Sequence, residues 1–550
     1  MRLEASRIRP CLAHLPVVLL LFSGALFQGG VPYFRDLLSH YYPDYAFLAR
    51  SASQQIAWPL WNPLVHAGAP FLMPYPLDVV SVWLLGPLQA LRIDAPLHVL
   101  VAMCGASALA GWLGCGATGV WATGLFYGLS GFLLSSSNSM QFFHAACWAP
   151  WVIAAAVRAC RGPSARSAAW LGVVLALQLS TLAADVVAQT AFASLFVLPW
   201  PRSWRRLRAV AAVALLGALL AALLSAPVLL GVQWLLQDTR RAQGFAPSEV
   251  LAWSASPLVL LEAIVPHLFG NVRTFSALGF WGMPFFDDAY PYFMSLYLGP
   301  GVLLLALLAD RRRGAGALWV LTVVGLLMSL GANGPFATLQ SQLAGSVRFP
   351  IKLFFLANLG VCLLAGQGAD AYSRRAGVAL WRLALPLAYL AAAGALLLWP
   401  ELPARLLGGL VPELLGASAR HVARTVWPVD FFRAGALCLA AALALKLPAR
   451  GGVLAASMSV ATTMAANIVL NPTARRDFYE LAPVLRAHVE RAMAEGPFRW
   501  FALSLNAVPG VRFSAWVADA NTDVVAYRVA RQSMLGTSAA LDGLESALEV

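Results

Sequence analysis

Asp36 stands where an apolar run beginning at Cys11 gives way to the polar sequence FRDLLSHYYPDY. A carboxylate stationed at the boundary between hydrocarbon and water suits a general base or a substrate anchor. His40 follows four residues later, so a continuing helix would put both groups on one face. Further on, Trp58-Pro59-Leu60-Trp61-Asn62-Pro63 and His66-Ala67-Gly68-Ala69-Pro70 form a stiff, irregular stretch crowded with aromatic rings and a few polar tips. With Tyr42 nearby, these are the materials of a sugar-binding surface: rings stack on C–H faces, while Asn62 and His66 bond to hydroxyls. Asp185 is a further candidate, because an acidic residue in an apolar stretch is costly and marks function by default. Each group also has a plainer reading. Asp36 can end a helix, the tyrosines can form an interfacial belt, and Asp185 can sit at a turn reached by water.

The elements that must hold these residues are membrane helices. The chain has 550 residues, 60% apolar and 11% charged, whereas a soluble domain carries about 25% charged residues. That composition excludes an ordinary soluble protein, a disordered chain and a disulfide-rich scaffold. Apolar stretches of about 20 residues alternate with short basic loops, which is the pattern of a polytopic membrane protein. The net charge of +13 does not point to nucleic acid, since the arginines cluster in those loops: Arg158, Arg161 and Arg166, then Arg202, Arg205, Arg206 and Arg208, then Arg311, Arg312 and Arg313. Such clusters mark cytoplasmic connections.

Placing every basic cluster inside predicts an all-α bundle of about 13 transmembrane helices, N-terminus cytoplasmic and C-terminus outside. A first span covers 11–30, and others lie near 97–114, 118–136 and 143–157. The apolar stretch between Arg166 and Arg202 is too long for one helix, so two short helices with an outer turn near 182–185 are expected there. Further spans are expected near 209–236, 291–309, 316–332, 351–367, 378–399, 431–447 and 453–470, with 79–91 lying in the interface or re-entering. Residues 1–470 then form the membrane domain, 31–91 its first outer loop, and 471–550 an outer tail or small cap. Within that loop, Tyr45, Leu48, Ala49, Ala52 and Ile56 fall on one side of an interfacial helix. His98 and His144 are expected to be satisfied inside the bundle, and no Asp, His or Cys run has metal-ligand spacing.

The block RDLLSHYYPDY…PLWNPLVHAGAPF resembles the first outer loop of bacterial YfhO-type membrane proteins, within the GT-C superfamily of polyprenyl-phosphate-sugar-dependent glycosyltransferases. Further matches are GLSGFLLSSSNSMQFFHAACWAPWV (128–152), YLGPGVLLLALL (297–308) and RFPIKLFFLANLGVCLLAGQG (348–368), and the resemblance runs to residue 485 or so. It implies a GT-C-like bundle with long outer loops in the bacterial inner (cytoplasmic) membrane. It also implies a polyprenyl-phosphate-linked sugar donor, a glycan, lipid or protein acceptor, surrounding membrane lipids, and Asp36 as base. Arg348 and Lys352, four residues apart at the outer start of a span, are nominated for the departing phosphate, with Arg240, Arg241 and Arg273 in reserve; snorkelling to head groups is the alternative. Asp185 stands where such proteins often carry a Gly-His-type polar turn, so it replaces that function or the site has drifted. No cofactor is expected, although a divalent ion held loosely by Asp36 and Asp185 is compatible with the residues. Two other classes stay open: a non-catalytic membrane scaffold subunit of this fold, and a transporter or lipid flippase. Polar residues crowding the outer boundary, with no internal repeat, argue against the second.

Overall fold

The computed structural model describes residues 2–496 apart from 57, 66–67, 73–74, 238, 272–278, 288–289, 310–313, 344–347, 373–382, 448–449, 481 and 484–485, and in addition residues 531, 540 and 541. In a bilayer every backbone polar group must be satisfied internally, so the apolar runs become helices. Seven are long and apolar enough to cross a membrane: Pro87–Trp112, Ala117–Asn138, Met140–Arg161, Trp204–Leu236, Pro350–Tyr372, Trp427–Ala444 and Gly451–Leu470. Shorter apolar helices accompany them at Leu12–Leu21, Pro76–Leu85, Ala165–Leu179, Ala184–Val197, Ala315–Ser329 and Ala384–Leu398. The chain is an all-α, multi-pass membrane protein. Sheet is confined, among the described residues, to two ladders of two residues per strand.

At the centre lies the helix Phe354–Tyr372, buried at every residue from Phe354 to Asp370. The helices Ala117–Leu129, Pro300–Leu307 and Ala315–Ser329 pack around it. One crossing is very close: a Cβ added to Gly119 would stand 2.6 Å from the Gly366 carbonyl oxygen. Small residues permit this approach, and in lipid such packing supplies the association that hydrophobic burial supplies in water. The helix Trp204–Leu236 is the opposite case, with Leu215, Leu223, Leu230 and Trp234 exposed along a lipid-compatible face.

Two expectations need correction. The span expected at 97–114 begins at Pro87, and the run 79–91 divides between the Pro76–Leu85 helix and that longer one. Gly86, at φ +79°, makes the break, and Pro87 occupies the first turn, where its missing N–H is harmless. The span expected at 291–309 is helical only over Pro300–Leu307, started by Gly299 at φ +98° and Pro300. Residues 291–299 are irregular, yet their backbone finds partners in neighbouring elements: the Tyr297 carbonyl accepts from Gly131 N at 2.8 Å and Leu298 N donates to the Ala263 carbonyl at 2.9 Å. Irregular backbone at membrane depth is tolerated under that condition. The two short helices expected between Arg166 and Arg202 are present, joined through Leu182 at φ +63°.

The first loop is anchored by a segment far away in sequence. Val31 and Pro32 pair antiparallel with Ala474 and Thr473, so residues 31 and 474 share one side of the membrane and the crossings between them are even in number. Tyr479 adds a hydrogen bond from its hydroxyl to the Pro32 carbonyl at 2.8 Å. The loop helix Tyr42–Ser53 buries Tyr45 and Leu48 of the expected face and also Phe47, which that face did not include, while Ala49 and Ala52 are half-buried. It ends before Ile56, which is exposed, because Gln55 turns to φ +65°. Of the expected tail 471–550, the stretch from 497 onward lies outside the described residues except at 531, 540 and 541.

Glu262 sits in a single 3-10 turn, Leu261–Ala263, and burial pushes its carboxyl up to about 8. Between the ordinary glutamate value of about 4.3 and that point, the folded chain keeps a proton the unfolded chain releases. Stability therefore falls as pH rises through this window. Melting temperatures of the protein in detergent should decline from pH 4.5 to 8, and Glu262→Gln should flatten the decline. A variant that keeps the wild-type slope would assign the effect to other groups.

Candidate functional site

The segment Arg348–Lys352 enters the central helix through a strained turn. Phe349 adopts φ +74°, which a bulky residue rarely does. The turn is held from the side: Phe349 N donates to the Val250 carbonyl at 3.2 Å and Ile351 N to the Trp253 carbonyl at 3.3 Å. This geometry aims Lys352 at Asp185, with Nζ 2.9 Å from Oδ2 and the side chains only 18% and 11% exposed. Three rings surround the ammonium, Phe142 and Tyr292 at 5.6 Å and Phe349 at 5.4 Å. Ring faces attract a cation, most strongly when water is excluded. Arg348 lies over the rings of Phe245 at 4.4 Å and Phe349 at 4.8 Å, and Arg241 reaches the same Phe245 at 5.7 Å.

These groups open onto a groove of about 350 Å³ lined by Asp185, Gln189, Arg348 and Lys352 on its polar side and by Phe192 and Leu356 among its apolar walls. Arg348, and Lys352 with its partner Asp185, stand beside apolar walls, an arrangement with room for an amphiphile carrying an anionic head. The structure thus brings Asp185, Arg348 and Lys352 into one place, with Arg241 one ring away. Asp185 has a lysine as its partner, so its geometry is that of an ion pair.

Asp36 is half-buried at the start of a π-helical segment, Leu37–Tyr41, that continues as the Tyr42–Ser53 helix. Its neighbour Arg35, at φ +52°, donates from Nη1 to the Tyr292 carbonyl at 2.8 Å and covers the Tyr290 ring at 5.3 Å. Tyr292 is itself a wall of the Lys352 cage. Burial, and after it the Asp36 carboxylate, push the Tyr41 phenol well above its ordinary range, so these two groups are neighbours. The Tyr41 hydroxyl accepts from Gln141 N at 3.3 Å, next to Phe142, another wall of the cage. Four of the six described non-glycine residues with positive φ, namely Arg35, Leu182, Trp253 and Phe349, belong to the segments that build this site. Such strain persists only where surrounding structure over-determines it, and it gathers at functional sites.

The remaining candidates are spread through the first loop. His40 is exposed. Tyr42 packs on Tyr479, ring centroids 4.1 Å apart. Trp61 is exposed, while Asn62 is buried and accepts a hydrogen bond from Leu64 N at 2.9 Å, which holds the Trp61–Asn62 and Ala69–Pro70 ladder. His66, Arg273 and the side chain of Arg240 lie outside the described residues. Sequence reasoning missed Tyr41, Phe142, Tyr292 and Phe349 as parts of the site. Tyr41, Phe142 and Phe349 lie inside the blocks that carried the resemblance, whereas nothing pointed to Tyr292.

No protein-family model matches the chain, and no curated protein matches it. Among solved structures, it is similar to the arabinofuranosyltransferase AftD from Mycobacteria, with 16% identity and a TM-score of 0.46 over 88% of this chain and 29% of that one. The chain therefore spans under a third of AftD's length. It is also similar to ArnT from Cupriavidus metallidurans bound to undecaprenyl phosphate, with 14% identity and a TM-score of 0.47 over 94% of this chain and 87% of that one. The apo state of the same ArnT gives 14% identity and 0.45 over 90% and 86%.

Removing one partner of a buried ion pair costs about 3–5 kcal/mol, whereas replacing both by apolar groups of similar volume is often close to neutral. Asp185→Asn and Lys352→Met should each lower the melting temperature in detergent clearly, and the double variant Asp185→Leu with Lys352→Met should recover most of the loss. Single variants as stable as wild type would mean that the pair is solvated.

Proposed function

We propose that this chain is an integral membrane glycosyltransferase of the GT-C type its sequence resembles. In this reading it moves a sugar from a polyprenyl-phosphate carrier to an acceptor hydroxyl on the outer face of the bacterial inner membrane. The observation that carries the reading is the groove in which Arg348 and Lys352 meet an apolar wall, tied through Tyr292 to Arg35 beside Asp36. The prenyl chain would lie along Phe192 and Leu356, with its phosphate at the two cations.

The chemistry is a displacement at the anomeric carbon. The acceptor oxygen forms the new C–O bond while Asp36 takes its proton. The bond from the anomeric carbon to the phosphate oxygen breaks, and its electron pair leaves with the lipid phosphate. The donor is a phosphodiester with one negative charge, and the leaving monoester gains a second. Cations at that position therefore stabilise the transition state more than the bound substrate, which is the condition for accelerating the step. Low dielectric in the groove strengthens the effect. The long aromatic loop, with Trp61 exposed and His40 near Asp36, would receive the sugar or acceptor.

One observation favours a second reading, a scaffold that kept the fold without the chemistry: Lys352 is already neutralised by Asp185. The two readings separate in membranes supplied with a radiolabelled lipid-linked sugar. Transfer is expected for wild type, reduced at least about 100-fold in Asp36→Asn, the lower end of what a positioned general base contributes. Undiminished transfer in Asp36→Asn removes Asp36 as the base, and a wild type that binds donor without transferring sugar favours the scaffold.

A further inference from the structure

The helices Pro87–Trp112 and Met140–Arg161 bring together three ligating side chains that sugar transfer does not use. Asp94 and His98 are one turn apart on the first helix, and His144 comes from the second. His144 Nε2 lies 3.0 Å from each Asp94 carboxylate oxygen, and His98 Nδ1 lies 3.1 Å from Asp94 Oδ1. The three donor atoms fall within 4.8 Å of one another, and the side chains are all 5% exposed or less. Ligands at about 2.0–2.1 Å from a tetrahedral zinc ion stand about 3.3 Å apart, so the two pairs that include Asp94 are already near that spacing, and the two imidazoles close on each other by rotation about their side-chain bonds when an ion enters.

His98 Nδ1 also lies 2.9 Å from the Asp94 backbone carbonyl, a contact it exchanges for the ion when it turns to ligate. A metal-bound histidine gives its other ring N–H to an orienting acceptor. His98 Nε2 has one in the Tyr75 hydroxyl at 2.7 Å, itself fixed by a hydrogen bond from Trp148 Nε1 at 2.7 Å. The two imidazoles stack with centroids 4.0 Å apart, where two imidazolium charges in low dielectric would repel strongly. A second carboxylate, Asp78, is buried beside them and interacts with the charges of His144 and Asp94. The Tyr45 hydroxyl reaches it, yet its Oδ1 has no hydrogen-bond partner among the described residues. With a metal bound, the imidazoles are neutral ligands and the two carboxylates supply up to two negative charges inside the bundle. A divalent cation balances both and supplies the partner that a buried carboxylate oxygen needs.

We propose that Asp94, His98 and His144 bind a divalent transition-metal ion, zinc being the best match to one carboxylate and two imidazoles, with Asp78 reaching it through water. The site is closed, so the ion is structural. It pins the Pro76–Leu85 helix and Tyr75, both from the first outer loop, to two spans. The test uses the full-length protein in detergent with any affinity tag removed, loaded with Zn²⁺ or Co²⁺ and freed of unbound metal by gel filtration. Elemental analysis should give one metal per wild-type chain, and the Co²⁺ form should show the visible absorption of a four-coordinate nitrogen–oxygen site. His98→Gln and His144→Gln should lose the metal. Tyr75→Phe should keep it with affinity lowered at least about 10-fold, the usual effect of deleting an orienting partner. Should the ligand variants not fold, the wild-type metal content and Co²⁺ spectrum decide alone. A wild type without stoichiometric metal, or folded His98→Gln and His144→Gln variants that retain it in full, overturns the proposal.

Discussion

A lysine ammonium shielded from water at the edge of an apolar groove must find a counter-charge, and in this chain the pairing of Lys352 with Asp185 draws on five separate segments. The 182–185 turn takes a left-handed residue at Leu182, and the entry to the central helix takes another at Phe349. The 250–253 segment supplies carbonyls that hold this entry in place. Phe142 and Tyr292 then close the sides of the ammonium. The left-handed conformations at Leu182 and Phe349 are unfavourable locally. A charge left unpaired in such surroundings would be worse, and that difference holds the turns in strained conformations.

The first outer loop is fastened at three points to this framework. Arg35 grips the Tyr292 carbonyl beside the lysine cage. Val31 and Pro32 pair with Ala474 and Thr473, and Tyr42 packs on Tyr479. Tyr75 bonds to His98 within the Asp94 cluster. The loop is therefore fixed to the bundle at places spread along its length, and Asp36 lies between the first two anchors. A carboxylate positioned in this way keeps its orientation relative to the groove cations without needing the rest of the loop to be regular.

What was legible in the sequence follows from the range of each signal. Apolar runs and arginine loops are local, so the helical class, the many membrane helices and the paired short helices before Arg202 could be read. Asp36, Asp185, Arg348 and Lys352 were each visible as polar residues in apolar context. The contact between Asp185 and Lys352 was not, because nothing near either residue encodes a partner so distant in sequence. The segment 291–299 has the composition of a span, and only its hydrogen bonds to other helices reveal why it is not one. No metal-ligand spacing was read from the sequence, because Asp94 and His98 gain that meaning only when His144 arrives from another helix. The ladder of Val31 and Pro32 with Ala474 and Thr473 is too short to leave any pattern.

The central claim is that Arg348 and Lys352 form the phosphate end of a lipid site, and native mass spectrometry of the purified protein with a polyprenyl phosphate tests it most directly. The account predicts one bound lipid per wild-type chain and at least about a tenfold loss of occupancy in a folded Arg348→Ala, Lys352→Met double variant, tenfold being 1.4 kcal/mol of binding. Equal occupancy in wild type and double variant would contradict it.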